Sequence, residues 1–166
     1  LQEQELFWVL SRILIKIDRP ILWKESIWIE TWPKSVERII YLRDFLIKDQ
    51  QDTIIGRASS GWLAIDLKTK RPKIVKERAE IFNHLKNKVA LEEIPSKLPS
   101  AKVEQSFQFQ PYYSDIDLNK HLTSTRYLDW MMNSFQMDFH QKHYPKEIHL
   151  NYLKETMPTE KIELNL

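Results

Sequence analysis

The first half of the chain alternates between apolar and polar positions. In "SRILIKID", Ile13, Ile15 and Ile17 share one face of a strand, and Arg12, Leu14, Lys16 and Asp18 share the other. "ESIWIETW" sets Ile27 beside Ile29. "ERIIYLRDFLIKD" puts Ile39, Tyr41, Arg43, Phe45 and Ile47 on one side, and "TIIGRASSGWLAID" continues the pattern through a small-residue middle. Period-2 runs rich in β-branched and aromatic residues predict strands. "DRP", "TWPKS" and "KDQQD" have turn composition and predict the joints. Strands of about ten residues at hairpin spacing predict a long, curved antiparallel sheet. Gly56 and Gly61, the chain's only glycines, fall in one strand. Glycine there marks a bulge or a close approach to the backbone.

From Pro72 the period changes. Ile74, Arg78, Ile81, Phe82 and Leu85 recur at helical spacing and predict a short amphipathic helix over 76–88. "ALEEIPSKLPSAK" carries Pro95 and Pro99 without periodicity and reads as an extended linker. The expected organisation is a first unit over 1–88, a linker over 89–101 and a second unit over 102–166. The second unit reads as strand ("VEQSFQFQ"), polar loop, helix from Leu122 to about Phe135, then two strands ("EIHLNYLKE", "EKIELNL"). Arg43 and Asp44 lie inside a strand pattern, where one must face inward or sit at an edge. A structural ion pair is the expectation for them.

Composition narrows the class. Of 166 residues, 42% are hydrophobic and 11% aromatic, enough for a packed core. Lys+Arg 25 against Asp+Glu 23 leaves a net charge of +2, which argues against a dedicated nucleic-acid binder. Cysteine is absent, which removes disulfides, thiolate zinc sites and a cysteine nucleophile, and a reducing cytoplasm is compatible. No apolar run approaches the roughly 18 residues that span a bilayer. The chain starts at Leu1 with an acidic, uncleavable-looking "LQEQELFWVL" and stops inside an alternating "IELNL", so it reads as a fragment.

The chemistry concentrates in "DIDLNKHLTSTRYLDW", where Asp117, Asn119 and His121 occupy alternate positions just before an apolar helix. Calcium would need Gly at the sixth and Glu at the twelfth position of the loop. Lys120 and Arg126 stand there instead. His140 and His143 in "FHQKH" read as the polar surface of a helix end rather than a zinc pair. Two readings of the loop remain open. In one, its Asp and Asn cap the following helix. In the other, free N–H groups at the helix start polarise a carbonyl, Asn119 adds a neutral donor, and His121 and Asp117 add titratable groups within one turn.

This stretch resembles the D-x-N-x-H-x-x-x-x-x-Y of the acyl-acyl-carrier-protein thioesterases, plant and bacterial enzymes with a double hotdog fold. Asp117, Asn119, His121 and Tyr127 occupy its positions. "TWPKSVERIIYLRDFLI", "ASSGWLAIDLKTKRP" and "HLNYLKET" resemble further family stretches in the same order, over nearly the whole chain. The resemblance implies an α+β fold, a tandem hotdog of curved antiparallel sheets around central helices, with both repeats incomplete in this chain. It implies hydrolysis of fatty acyl-carrier-protein thioesters by Asp117, Asn119, His121 and Glu155, without metal or cofactor. It places an acyl slot in the first hotdog, with Trp8, Trp62 and Tyr127 as candidate substrate contacts. Core packing is the favoured reading of Trp8 and Trp62, since large aromatics usually pack cores. The acidic acyl carrier protein is the implied partner. Lys68, Lys70, Arg71 and Lys73, with Lys76, could dock it or form a solvated hairpin. Monomer and homodimer both fit, in a bacterial cytoplasm.

The chain departs from the family in two places. Plant members carry Cys after the strand Glu. Thr156 stands here, so a Cys–His nucleophilic pair does not apply. Leu122, Thr123 and Ser124 replace the Val-Asn-Asn that often follows the His. In the implied reaction Glu155 activates water, or, in a rival scheme, Asp117 attacks the thioester. An acyl-CoA thioesterase, a non-catalytic acyl-binding hotdog and, lower, a dehydratase are the alternatives.

Overall fold

A computed structural model describes residues 6–75, 87–100, 102–154 and 156–165. Nearly all of the helix expected over 76–88, and Glu155, lie outside the described residues. The alternating runs form β1 (Leu6–Ile17), β2 (Trp28–Glu37), β3 (Ile40–Lys48) and β4 (Ile54–Asp66). β5 (Ser106–Phe109), α1 (Ser124–Asn133), α2 (Met137–Lys142), β6 (Glu147–Asn151) and β7 (Ile162–Asn165) follow. The chain divides into two compact units, 1–98 with 145–152 and 99–144 with 153–166.

The first unit is an antiparallel sheet in the order β2-β3-β4-β1-β6. The hairpin spacing after β1 misleads. β1 pairs with β4, and residues 18–27 carry the chain past two strands to the far edge. Arg19 secures this crossing by binding Glu25 at 2.5 Å and Asp49 at 3.0 Å. "TWPKS" is not a joint either. β2 runs through it with a register shift between Pro33 and Val36, and the turn falls at Arg38–Ile39, with Arg38 at φ 58°. β2 is the edge strand, so the N–H that Pro33 lacks is not needed for pairing on its free side.

Directly opposed residues share a face of a sheet. The register therefore lines up Trp32, Asp44, Ser59, Leu14 and His149 across all five strands. Residues 88–98 are strapped over this face. Trp32 Nε1 donates to Lys88 O at 2.7 Å, the Ala90 N–H donates to Asp44 Oδ2 at 2.8 Å, and Lys34 Nζ donates to Leu91 O. Farther along, Glu93 pairs with Lys16 at 2.5 Å, and Asn151 bonds Ser96 O and the Leu98 N–H. The proline-rich stretch thus satisfies its backbone groups on side chains of the sheet rather than in regular structure.

Asp44 is the buried member of the Arg43–Asp44 pair, at 0% exposure, and its ionic partner is Lys34 at 3.4 Å. Arg43 points to the other face and donates to Thr31 Oγ1 at 3.2 Å. On that second face Tyr41, Ala64 and Val75 form a core cluster with Leu6, Trp8, Val36 and Trp62. A bulge between Leu10 and Arg12 changes the register of β1 there. Gly61 sits opposite Arg12, where a Cβ would come within 2.8 Å of Ile40 Cγ2. The close approach expected of a strand glycine is present.

In the second unit β5 and β7 form a short antiparallel pair. Phe109 of β5 stacks on Trp130 of α1 at 5.4 Å, which seats the helix on that pair. Breaking a buried ion pair by removing one charge strands the other. Asp44→Ala should therefore cost about 3 kcal/mol of unfolding free energy, and Arg43→Ala less than about 1 kcal/mol. Denaturant titration of the two variants checks both values.

Candidate active site

The polar stretch folds as a closed turn. Ile116 and Leu122 form an antiparallel bridge. The Asp117 N–H donates to His121 O at 2.8 Å, and the Lys120 N–H donates to Asp117 O at 3.0 Å. Lys120 adopts a left-handed φ of 65°, as such a tight reversal requires. The Asp117 carboxylate fills the inside of the turn. Its Oδ1 accepts the backbone N–H groups of Asn119 at 2.8 Å and His121 at 3.0 Å, an Asx-type arrangement.

These bonds hold Asp117 in its charged form. Its pKa lies below the ordinary carboxylate value, chiefly through the His121 backbone N–H. Burial opposes the shift, and the Asn119 backbone and side chain and the His121 charge add to it. Asp117 is thus an acceptor engaged by its own turn. The capping reading of the loop fails for the same reason: the Asp117 carboxylate closes its own turn, with Oδ1 on the Asn119 and His121 N–H groups. α1 starts after Thr123, whose side chain makes no capping bond, and its first turn holds no acidic residue. The positive end of the helix therefore begins two residues beyond His121, without a carboxylate from its own first turn to offset it.

Asp117, Asn119 and His121 are brought together in one turn, as the sequence implied. Glu155 lies outside the described residues. Its neighbour Thr156 is described, and its Oγ1 accepts a hydrogen bond from Tyr127 Oη at 2.7 Å. Tyr127 also meets Trp130 edge-on at 6.1 Å. Trp8 and Trp62 belong to the first unit's core cluster, where Trp8 meets Tyr41 at 4.9 Å and Trp62 Nε1 donates to Ser60 Oγ at 2.7 Å. Lys68, Lys70, Arg71 and Lys73 lie on the exposed turn after β4, organised by Asp66, which accepts the Lys68 and Thr69 N–H groups. Lys73 stands 4.0 Å from that carboxylate, and Lys70 lies over the Phe7 ring. His140 and His143 turn ring nitrogens to Met132 O and Phe139 O, as a polar helix end would.

Sequence reasoning passed over two residues. Asp115 is buried at 7% exposure, and Arg126 meets it through Nε at 3.3 Å. Both lay in the stretch already singled out, but Asp115 precedes the turn and Arg126 lies on the helix after it, so no period within one element relates them.

The sheet and the short helices that follow it define an α+β hotdog-type protein. An acyl-ACP thioesterase from Bacteroides thetaiotaomicron superposes with a TM-score of 0.83 at 28% identity, over 97% of this chain and 65% of that one. A putative oleoyl thioesterase from Lactobacillus plantarum shares the fold at a TM-score of 0.80 and 21% identity, over 98% of this chain and 64% of that one. The family models "Acyl-ACP thioesterase N-terminal domain" and "Acyl-ACP thioesterase C-terminal domain" match residues 1–83 and 98–165, and the chain belongs to the acyl-ACP thioesterase family. The chloroplastic oleoyl-acyl carrier protein thioesterase of Coriandrum sativum is 30% identical over 93% of this chain and 45% of its own length. The second Arabidopsis thaliana oleoyl enzyme is 30% identical over 93% and 46%. The chain spans about half the length of the curated relatives it matches.

A depressed carboxylate pKa contributes order that is complete above the ordinary carboxylate range and is lost as pH falls through the depressed value. The amides of Asn119 and His121 should therefore be protected from exchange at neutral pH and lose protection in acid. Asp117→Ala should remove the protection at every pH, as amide exchange read residue by residue will show.

Proposed function

We propose that this chain carries the hydrolytic site of a fatty acyl-acyl-carrier-protein thioesterase. The observation that carries the reading is the closed Asp117–His121 turn leading into the start of α1, in a chain of this family. An acyl thioester needs an attacking water and a site for the negative charge that forms on its carbonyl oxygen. Glu155, with His121, takes a proton from water, and the hydroxide oxygen bonds to the carbonyl carbon. Asn119 and the backbone at the start of α1 hold the oxyanion. The intermediate collapses by breaking the C–S bond, the sulfur leaves with a proton, and the free fatty acid remains. Asp117 orients the turn. Its Oδ1 already accepts two N–H groups, which supports that role over nucleophilic attack.

The acyl chain is assigned to the first unit, with Trp8 and Trp62 bordering the slot and Tyr127 as a further substrate contact. The acidic carrier protein docks on Lys68, Lys70, Arg71 and Lys73, which are exposed on one turn. A bacterial cytoplasm is the setting proposed, in keeping with the likeness to the Bacteroides protein. No described helix is long and apolar enough to cross a membrane.

The test uses the full-length protein with acyl-carrier-protein and acyl-CoA substrates of several chain lengths. Turnover on the carrier-protein substrates is expected, and Glu155→Ala should lower kcat by about a hundredfold or more, the scale of general base catalysis. Turnover on acyl-CoA alone would replace the partner. Acyl binding without turnover would leave a binding module. In the same assay kcat/KM on the carrier protein should fall steeply with added salt, because exposed charges are screened within about 10 Å at 0.1 M. Reversing Lys68, Lys70, Arg71 and Lys73 to Glu should raise KM and flatten that dependence.

A further inference from the structure

The Asp117–His121 turn is closed within itself, but a closed turn still has to be aimed. Its two ends meet at Asp115 and Thr123, where the Thr123 N–H donates to Asp115 O at 2.8 Å. The Asp115 carboxylate is buried at this root. Its Oδ2 accepts the Tyr112 N–H at 2.8 Å, and Oδ1 faces Arg126 Nε at 3.3 Å. Arg126 lies on α1, and its own N–H bonds Thr123 O at 3.0 Å. The rest of its guanidinium spreads in two directions. One terminal nitrogen donates to Asp129 Oδ2 at 2.8 Å on the same helix, and the other donates to Ser114 O at 3.4 Å, before the turn. One planar group thus joins the helix to the chain entering the turn, and its fixed fork sets the angle between them.

We propose that Arg126 is a positioning residue: through Asp115 it fixes the direction in which the Asp117–His121 turn presents Asn119 and His121 at the start of α1. The proposal rests on the hydrolase reading above for its effect on rate, but its effect on the turn is independent of that reading. Without Arg126 the buried Asp115 carboxylate keeps the Tyr112 N–H and loses its cation, at the root of the turn. Lysine keeps the charge but not the fork, so it cannot hold Asp115, Ser114 and Asp129 together.

The experiment compares Arg126→Gln and Arg126→Lys with the wild type in the full-length protein, with two readouts. Amide exchange at Asn119 and His121 should quicken severalfold in Arg126→Gln and less in Arg126→Lys, the loss of one partly exposed ion pair being of that order. In turnover of acyl-carrier-protein substrate, kcat should fall about tenfold in the Gln variant with KM within about twofold, and Lys should recover part of the loss. A general loss of stability would instead speed exchange throughout the unit and give no split between kcat and KM. Wild-type protection of both amides in Arg126→Gln overturns the proposal, as does an unchanged kcat in a folded, active variant. An inactive wild type overturns the hydrolase reading. The exchange comparison then still decides whether Arg126 holds the turn.

Discussion

The first unit depends on the pairing of β1 with β4. These are the two longest strands, and each is bonded on both sides, β1 also to β6 and β4 also to β3. Their register decides which side chains share a face. A slip of one residue would send Leu14 and Ser59 to the Trp62 side and break the row that runs from Trp32 to His149. Gly61 and the bulge at Leu10/Arg12 pin that register. The bulge fits at one place, and a side chain at 61 would strike Ile40.

The row carries charge where a sheet of this kind usually carries hydrocarbon. Asp44 is fully buried, and burying a carboxylate is costly unless it is paired and hydrogen-bonded. Lys34 and the Ala90 N–H, both at Oδ2, offset part of that cost, and the latter draws the 88–98 strap onto the sheet. The strap lies over the same face as Trp32 and Leu14, the buried apolar members of the row, so the polar contact and the apolar burial support one another.

In the second unit two carboxylates two residues apart do different work. Asp117 looks into its turn and sets the shape of the Asn119–His121 segment. Asp115 looks back to Tyr112 and Arg126 and ties that segment down. Tyr127, the next residue on α1, reaches the Thr156 hydroxyl.

The strands, the polar turn and the helix after it were legible in the sequence because their signals are local: period-2 alternation, a run of Asp, Asn and His, then helical spacing. Asp117, Asn119 and His121 could be named because one turn holds all three. The strand order could not be read, since adjacency in sequence favoured a β1–β2 hairpin and the observed β1–β4 pair is set by burial and register over some fifty residues. "TWPKS" looked like a joint because proline breaks central strands. Only its place at the sheet edge made a bulge sufficient. The partners of Asp44 and Asp115 were also decided by tertiary structure. A buried carboxylate takes whichever cation the fold brings to it, and neither Lys34 nor Arg126 lies on the same helix or strand as its carboxylate, so no local period links them.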